Sequence, residues 1–370
     1  MLINQLAASN VRSLDFIQLA PIDGINVIVG KNNDGKTTLL ESIYFASSLK
    51  SFKSVSSSTL VKNGANSLKI QIKCSNVSIK SVISIEKTLK GSNSILFNEK
   101  RTALKQLLHE FPVLALNFGA ENVVTGTSDD RRSLLDWGTF HVEPNFLETY
   151  KNYQKALKQR NSLLKKSSHD NLPYWTNLLS TLGEELDKLR RDYFIGLNEA
   201  FVDYKDIILS IDSEAYDDIR NSKIEYYSGW NKDQPLQAAL EDSLDKDKAM
   251  KHTTCGPHRA DLLFSSSGLE LKSISSMSTQ VVTGLLLVLS QSKVFHVKHG
   301  HYPVVLIDDL FFGIDDKNLV LVINLLKHSN AQCFITAPDL YKAKLKDASD
   351  HDEKIRIYEF KSRELVDAEK

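Results

Sequence analysis

The stretch GKNNDGKTT at 30–38 places Gly30, Gly35, Lys36 and Thr37 in the spacing GxxxxGK[ST], which is typical of a loop that binds phosphate. The apolar run INVIV precedes it and LLESIYF follows it, so the pattern predicts a buried strand, a tight turn and a helix. Such a turn directs backbone N–H groups at an anion beside the helix N-terminus. The Lys36 ammonium would add a point charge, and the Thr37 hydroxyl would be a ligand for Mg²⁺.

Asn33 and Asp34 stand in this loop where small residues are usual. Asn tolerates a positive φ better than most residues with a Cβ, so Asn33 is compatible with the path of the loop. The Asp34 carboxylate would repel a triphosphate unless it turned to solvent or paired with Lys31 or Lys36. We therefore expect weakened nucleotide affinity at this loop.

A second segment, YPVVLIDDLFFGIDD at 302–316, ends an apolar strand with two carboxylates. In a nucleotide site Asp308 would hold Mg²⁺ through water, and Asp309 would polarise the attacking water as a general base. An Asp pair is also a common way to end a strand, so its assignment depends on the loop at 30–38. Together the two segments predict a site for ATP and Mg²⁺.

The pattern of apolar residues divides the chain into three parts. Residues 1–130 are rich in predicted strands, because SLKIQIKC and SVISIEK alternate apolar and polar residues. Residues 131–248 carry two helical patterns, over 146–164 and 175–193, which predict an antiparallel helical hairpin. Residues 249–370 return to strands (ADLLF, YPVVLIDD and AQCFITA), which predict a mostly parallel sheet. The expected fold is an α/β head that a helical lobe splits in sequence.

Composition argues against several classes of protein. The chain has 370 residues, no net charge and three scattered cysteines without a CxxC pair, which favours a reduced compartment over a disulfide or zinc scaffold. We see no signal-peptide pattern, and the apolar stretch 281–289 is shorter than the ~20 residues that cross a bilayer, so we expect a cytoplasmic protein without a membrane segment. Residues 1–110 contain 14 Lys/Arg and 7 Asp/Glu, which fits either a polyanion-binding surface or a lysine-coated sheet.

Four stretches resemble the RecF family, bacterial recombination-repair proteins whose heads are related to those of Rad50, SMC proteins and ABC transporters. They are GKNNDGKTTLLESIYF, RRSLLDWGTFHVEPNFLETYKNYQKALKQRNSLL, CGPHRADL and LIDDLFFGIDD, in the family's order over nearly the whole chain. The resemblance implies a P-loop ABC/SMC-like ATPase head, split by a coiled-coil-like hairpin. It implies that the nucleotide is bound by Gly30, Lys31, Asn32, Asn33, Asp34, Gly35, Lys36, Thr37 and Thr38.

The same resemblance implies a protein of DNA replication, repair and the SOS response, with ATP and Mg²⁺ as cofactors. It would bind gapped DNA at single-strand/double-strand junctions and help RecO and RecR to load RecA. Two heads would enclose two ATP molecules in an ATP-dependent homodimer with slow, DNA-stimulated hydrolysis. Thr37 and Asp308 would bind the metal, Lys36 and Asp309 would be catalytic, and Asp315 would contact the opposite subunit.

The signature segment of the family, Ser-x-Gly-Gln followed by a basic residue, is altered in this chain. The alignment gives Ser276, then Ser278 for Gly and Thr279 for Gln, with Val281 for the basic residue. In the family this helix N-terminus contacts the γ-phosphate bound by the other subunit. A Cβ at Ser278 would hinder close approach of the backbone, and the lost positive charge is not replaced. We therefore expect slow or impaired hydrolysis.

The basic residues that we expect at DNA are Lys50, Lys53, Lys100 and Arg101, through contacts with phosphate that do not read sequence. Two alternatives stay open. A scaffold that binds DNA and RecR without hydrolysing ATP fits the altered signature segment, but the retained Lys36 and Asp pair oppose it. A small-molecule kinase would share the phosphate loop, but no lid is recognisable and GPHRADL would be unexplained.

Overall fold

The computed structural model describes residues 1–51, 57–76, 79–116, 119–166, 170–211, 217–312, 314–349, 352–361 and 364–367. The strands are β1 Leu2–Val11, β2 Leu14–Leu19, β3 Ile25–Gly30, β4 Ser67–Asn76, β5 Ile79–Thr88, β6 Asn93–Phe97, β7 Lys100–Arg101, β8 Val113–Leu116, β9 Ser222–Tyr227, β10 Asp261–Ser266, β11 Leu269–Glu270, β12 Val304–Ile307, β13 Cys333–Pro338, β14 Ile355–Lys361 and β15 Glu364–Asp367. The helices are α1 Lys36–Ser48, α2 Leu104–Glu110, α3 Asn122–Thr125, α4 Ser128–Val142, α5 Phe146–Leu164, α6 Leu172–Ile211, α7 Asp217–Arg220, α8 Leu236–Asp242, α9 Leu244–Met250, α10 Leu271–Ile274, α11 Met277–His299, α12 Asp316–His328 and α13 Lys342–Ser349.

The chain forms two compact units, each assembled from segments that are distant in sequence. The head unit consists of Met1–Asn122, Tyr204–Ser213 and Ser276–Lys370. The helical unit consists of Val123–Asp203 and Glu214–Ser275. The helical segment therefore interrupts an α/β head in sequence, as the expected fold class required.

The unit boundaries differ from the predicted divisions at 130 and 248. Residues 249–275 belong to the helical unit, because β10 pairs with β9 in an antiparallel ladder that runs from Asp261↔Tyr227 to Ser266↔Ser222. The strand ADLLF is therefore not part of the parallel sheet of the head, contrary to the prediction. Its apolar run predicted a strand correctly but contained no information about the partner strand.

The head unit contains two sheets with six strands each among the described residues. One is antiparallel, in the order β2-β1-β4-β5-β6-β7; the other has the order β15-β14-β3-β13-β12-β8 and is parallel except for β15. Apolar residues of both sheets form one core with Leu39, Ile43 and Phe45 of α1. Because the sheet is parallel, the carboxyl ends of β3, β13 and β12 meet at one edge, where ligands of such sheets bind.

Helix α11 lies in the core of the head unit. A Cβ on Gly284 would lie 2.0 Å from the carbonyl oxygen of Ala120, so glycine is required for this close contact. By length and composition α11 is the one helix among the described residues that could span a membrane, but 72% of its most apolar 18-residue window is buried in the fold. Burial of this kind is typical of a core helix.

In the helical unit α5 and α6 pack as an antiparallel pair, as the sequence predicted. Thr149 Oγ1 donates to Glu185 Oε1 at 2.9 Å, and Arg160 Nε donates to Thr176 Oγ1 at 3.0 Å, so positions later in α5 meet positions earlier in α6. Tyr153 of α5 and Leu186 of α6 are buried in a shared apolar cluster. Helix α6 is longer than the predicted 175–193, with 40 residues.

Candidate nucleotide-binding site

The loop between β3 and α1 has the backbone of a phosphate-binding turn. Gly35 is the residue before α1, with φ +115°, and Asn33 has φ +70°, as its tolerance of positive φ allows. A Cβ on Gly35 would lie 2.8 Å from Leu14 Cδ2, and one on Gly30 would lie 3.2 Å from Asp34 Oδ2. The positive φ and the close contact require glycine at position 35, whereas at position 30 a Cβ would press only moderately on its neighbours. No side chain caps the start of α1, so its first N–H groups are available for an anion.

Asp34 folds back on the loop. Its Oδ2 accepts the backbone N–H of Lys31 at 2.8 Å, which is neither of the two outcomes expected from the sequence. The buried Lys36 ammonium donates to the carbonyl oxygens of Gly30 at 2.7 Å and Lys31 at 2.9 Å. The Asp34 carboxylate therefore occupies a loop N–H group, and its negative charge would repel a phosphate bound at the loop.

Thr37 and Asp308 come together at the carboxyl edge of the parallel sheet. Thr37 Oγ1 donates to Asp308 Oδ1 at 3.1 Å, which joins the start of α1 to the end of β12. Thr336, in the carboxyl-terminal half of the intervening strand β13, donates its hydroxyl to the same oxygen at 2.6 Å and accepts the backbone N–H of Asp309 at 2.7 Å. Asp309 has φ +50° at this turn. The fold therefore brings together two residues that are 271 positions apart in the sequence.

Thr336 is a residue that sequence reasoning missed. A single hydroxyl within CFITAP has no distinctive spacing, and its importance arises only because β13 lies between β3 and β12. A buried Thr or Ser at the carboxyl end of a predicted parallel strand is the signal that would have drawn attention to it.

The altered signature segment forms the start of α11. Ser276 is the N-cap and accepts the backbone N–H of Thr279 at 3.2 Å. Ser278 is buried and donates to Asp315 Oδ2 at 3.2 Å. Asp315 is itself the N-cap of α12. Hydrogen bonds from Asn318, chiefly from its backbone N–H, hold the pKa of Asp315 below the usual value. The Ser278 hydroxyl, which a glycine would lack, thus links the start of α11 to the start of α12.

The basic residues expected at DNA lie on different elements of the head unit. Lys50 is exposed just after α1, and Lys100 and Arg101 are exposed in β7, at the end of a hairpin. Lys53 lies outside the described residues. The three described side chains remain a prediction as DNA contacts.

The segments RRSLLDW and GPHRADL meet inside the helical unit. Arg131 binds Asp261 through two hydrogen bonds of 2.7 and 2.8 Å, and Arg132 donates to the carbonyl oxygen of Ala260. His258 Nε2 faces the carbonyl oxygen of Thr253 at 3.0 Å, so it donates there, and Nδ1 accepts the Tyr153 hydroxyl at 2.7 Å. Burial lowers the pKa of His258 to about 4. These residues hold the helical unit together and show no catalytic arrangement.

The residues of the head site fit ATP and Mg²⁺. The loop offers the uncapped backbone N–H groups of α1 and the Lys36 ammonium to phosphate. A hydroxyl and a carboxylate at 3.1 Å are oxygen ligands of the kind that Mg²⁺ takes with phosphate and water. No group of three or more His, Cys, Asp or Glu side chains that could hold a metal occurs among the described residues.

The fold and this site define an ATPase head of the RecF/RecN/SMC class, whose N-terminal domain family model matches residues 2–363. The chain is 31% identical over 344 residues to the DNA replication and repair protein RecF of Pseudomonas paraeruginosa (strain DSM 24068 / PA7), covering 92% of this chain and 91% of that protein. It is 29% identical over 369 residues to the protein of the same name from Aliivibrio salmonicida (strain LFI1238), covering 99% of both. The chain belongs to the RecF family.

Solved structures agree with this fold. A structure of the recombination mediator protein RecF-ATP in the RecFOR pathway superposes with a TM-score of 0.78 at 23% identity, covering 99% of this chain and 98% of the other. The Smc head domain bound to the C-terminal domain of ScpA from Pyrococcus furiosus gives a TM-score of 0.58 at 14% identity, covering 99% and 96%. At these identities the likeness shows the fold.

Proposed function

We propose that this chain binds ATP with Mg²⁺ and acts on DNA in replication and recombinational repair. The observation that carries the proposal is the hydrogen bond from Thr37 to Asp308, which joins a phosphate loop and an acidic strand end into one oxygen-rich site. Relatives of this chain are named DNA replication and repair proteins, and one solved relative is titled in its ATP form.

Each residue of the head site has a separate role in this proposal. Magnesium, when bound, neutralises charge on the phosphates. Thr37 and Asp308 would hold the metal through their side-chain oxygens, and Lys36, which donates to the carbonyl oxygens of Gly30 and Lys31, would donate to phosphate oxygens. Asp309, positioned by Thr336 through its backbone N–H, orients a water molecule and accepts its proton.

The DNA substrate in this proposal is a gap with a single-strand/double-strand junction, where the chain helps RecO and RecR homologues to load RecA in the cytoplasm. A solved relative is titled as a mediator in the RecFOR pathway, and the excess of Lys/Arg in residues 1–110 supports a polyanion surface. Lys50, Lys53, Lys100 and Arg101 are the proposed contacts. Two heads associate when ATP is bound, with Asp315 near the opposite subunit.

Hydrolysis is slow or impaired in this proposal, because Asp34 engages a loop N–H group and Ser278 is tied to Asp315. The same two contacts favour a second candidate, a scaffold that binds DNA and RecR without turning over ATP. Membership in the RecF family removes the reason to consider a small-molecule kinase.

Light scattering tests the proposed function. The molar mass is measured without ligand, with ATP and Mg²⁺, and with ATP, Mg²⁺ and gapped DNA. A doubling of mass that requires nucleotide supports the ATP-dependent dimer. A chain that binds DNA as a monomer and ignores nucleotide supports the scaffold.

A further inference from the structure

The exposed face of α5 carries a row of lysines. The row consists of side chains that are all exposed, Lys151, Lys155, Lys158 and Lys165. Steps of four, three and seven residues keep them on one face of the helix, and the backbone is still helical at Lys165. No ion pair involves any of these lysines among the residues that the structure describes. Since like charges three or four residues apart destabilise a helix, this lysine row lowers stability without a compensating ion pair in the described part of the chain.

A later part of α6 exposes negative charge together with apolar side chains. This acidic row consists of exposed residues at steps of three, four and three, Asp192, Ile195, Glu199 and Val202. Ile195 is 60% exposed and Val202 40%, so two β-branched side chains face water within one row. Asp192 pairs with Lys188 of its own helix at 3.1 Å, whereas Glu199 has no partner among the described residues. A second helix packed on the acidic row would cover its apolar surface and neutralise its charge.

The two rows cannot meet within one chain. Helices α5 and α6 are antiparallel, and the hydrogen bond from Thr149 to Glu185 places the start of α5 level with Glu185. The lysine row extends from that level towards the start of α6, as the contact between Arg160 and Thr176 shows. The acidic row lies in the opposite direction, and Glu199 is 14 residues beyond Glu185, about 21 Å along the helix. The opposite charges can therefore meet only between two chains.

We propose that the lysine row of one copy of this chain packs against the acidic row of a second copy. The spacing of the charges matches between the two rows. Lys151 and Lys158 are seven residues apart, and the same step separates Asp192 from Glu199. Seven residues are about 10.5 Å of helix, so both pairs of opposite charges can form in one contact. The contact needs neither nucleotide nor DNA, and it goes beyond the proposed function.

A second copy explains both rows, whereas other partners explain one. The aliphatic stem of Lys155, which lies between two charges, covers Ile195 while its ammonium stays in water. A nucleic acid would neutralise the lysine row but would leave Ile195 and Val202 exposed. Exposed ion pairs are individually weak and are screened by salt, so the contact is reversible and strongest at low ionic strength. Because each row meets a different row, the contact is heterologous.

Sedimentation equilibrium without nucleotide or DNA tests the inference. At 0.1 M NaCl the average mass of wild type should exceed the monomer and rise with protein concentration. Association should be at least about fivefold weaker at 1 M NaCl, where the screening length falls from about 10 Å to about 3 Å. One variant combines Lys151→Glu with Lys158→Glu, and the other combines Asp192→Lys with Glu199→Lys. Each should be a monomer alone, and their equimolar mixture should associate, because the mixture again places lysine opposite carboxylate.

The matched control changes Lys246 and Lys248 to Glu, which reverses two exposed charges of the same unit and should leave association unchanged. Circular dichroism verifies that every variant is folded. A monomeric wild type, association that persists in both reversed variants, or a mixture of folded variants that stays monomeric would overturn the inference. A monomeric wild type whose affinity for gapped DNA falls when Lys151 and Lys158 are reversed would assign the lysine row to DNA and would also overturn it. None of these results depends on ATP binding, so the proposed function is tested separately.

Discussion

At the scale of single residues, Asp34 is the largest departure within the phosphate loop. Its carboxylate accepts the Lys31 N–H and adds negative charge to the loop that would bind the phosphates. Replacing it by serine should strengthen ATP binding by about 1.4 kcal/mol, or tenfold in Kd, because a charge-assisted hydrogen bond no longer competes. Isothermal titration of wild type and Asp34→Ser measures the difference. The exposed Asp23→Ser is the matched control for loss of one carboxylate, and equal affinities for all three would contradict the prediction.

Ser278 offers a second residue-scale prediction. Loss of its hydrogen bond to Asp315 should free the start of α11 and tighten ATP-dependent dimerisation by about 1 kcal/mol, about fivefold. Sedimentation equilibrium with ATP and Mg²⁺ measures the dimerisation constant. Ser278→Ala removes only the hydroxyl, whereas Ser278→Gly also removes the Cβ, so the pair separates the hydrogen bond from the steric effect. Unchanged constants for both variants would show that this contact does not restrain the dimer.

The sequence predicted the residues of the site unevenly. Gly30, Gly35 and Lys36 follow from a spacing that only a phosphate loop requires, and the positive φ of Asn33 follows from its side-chain chemistry. The hydrogen bond that Asp34 accepts could not be predicted, because it depends on the backbone conformation of the whole loop. Thr336 could not be predicted because strand order, which places it beside Asp308, has no local signature.

At the scale of elements, the local pattern of apolar residues predicted secondary structure but not which strands pair with each other. The alternation of SLKIQIKC and SVISIEK marks half-buried strands, and both are strands of the antiparallel sheet. ADLLF was assigned to the wrong sheet, because a short apolar run fits any buried ladder. Helix α6 was predicted too short, although Leu197, Phe201 and Ile208 continue its buried face at helical spacing.

The helical unit should lose stability in mild acid through His258. Its pKa of about 4 lies below the ordinary value of 6.5. Between these two pH values His258 is therefore protonated in the unfolded chain and neutral in the folded chain. The stabilising contribution is therefore complete above pH 6.5 and declines as the pH falls from 6.5 towards 4. Between pH 7.5 and pH 5 this one group should cost about 2 kcal/mol of the free energy of unfolding.

Urea denaturation of wild type and His258→Gln at both pH values measures this contribution. Glutamine can still donate to Thr253 and accept from Tyr153 but does not titrate, so the variant should lose about 2 kcal/mol less than wild type on acidification. Parallel losses in the two proteins would mean that His258 is not held neutral by its surroundings.

At the scale of the whole molecule, charge is distributed unevenly along a neutral chain, with the excess of Lys/Arg in residues 1–110. If Lys100 and Arg101 contact DNA phosphates, their joint change to Glu should reduce the slope of log K against log salt by about 2. Fluorescence anisotropy with gapped DNA at several salt concentrations measures the slope. Joint change of Lys246 and Lys248, exposed in the helical unit, alters net charge equally and should leave the slope unchanged.

The central claim is that the phosphate loop and Asp308 form one site for ATP and Mg²⁺. Titration of a fluorescent ATP analogue, with Mg²⁺ and with a chelator, tests it most directly in wild type, Lys36→Ala and Asp308→Asn. We predict that Mg²⁺ tightens binding to wild type, that Lys36→Ala weakens binding at least about tenfold, and that Asp308→Asn removes the Mg²⁺ effect. A Kd that is the same for all three proteins, with and without Mg²⁺, would contradict the claim.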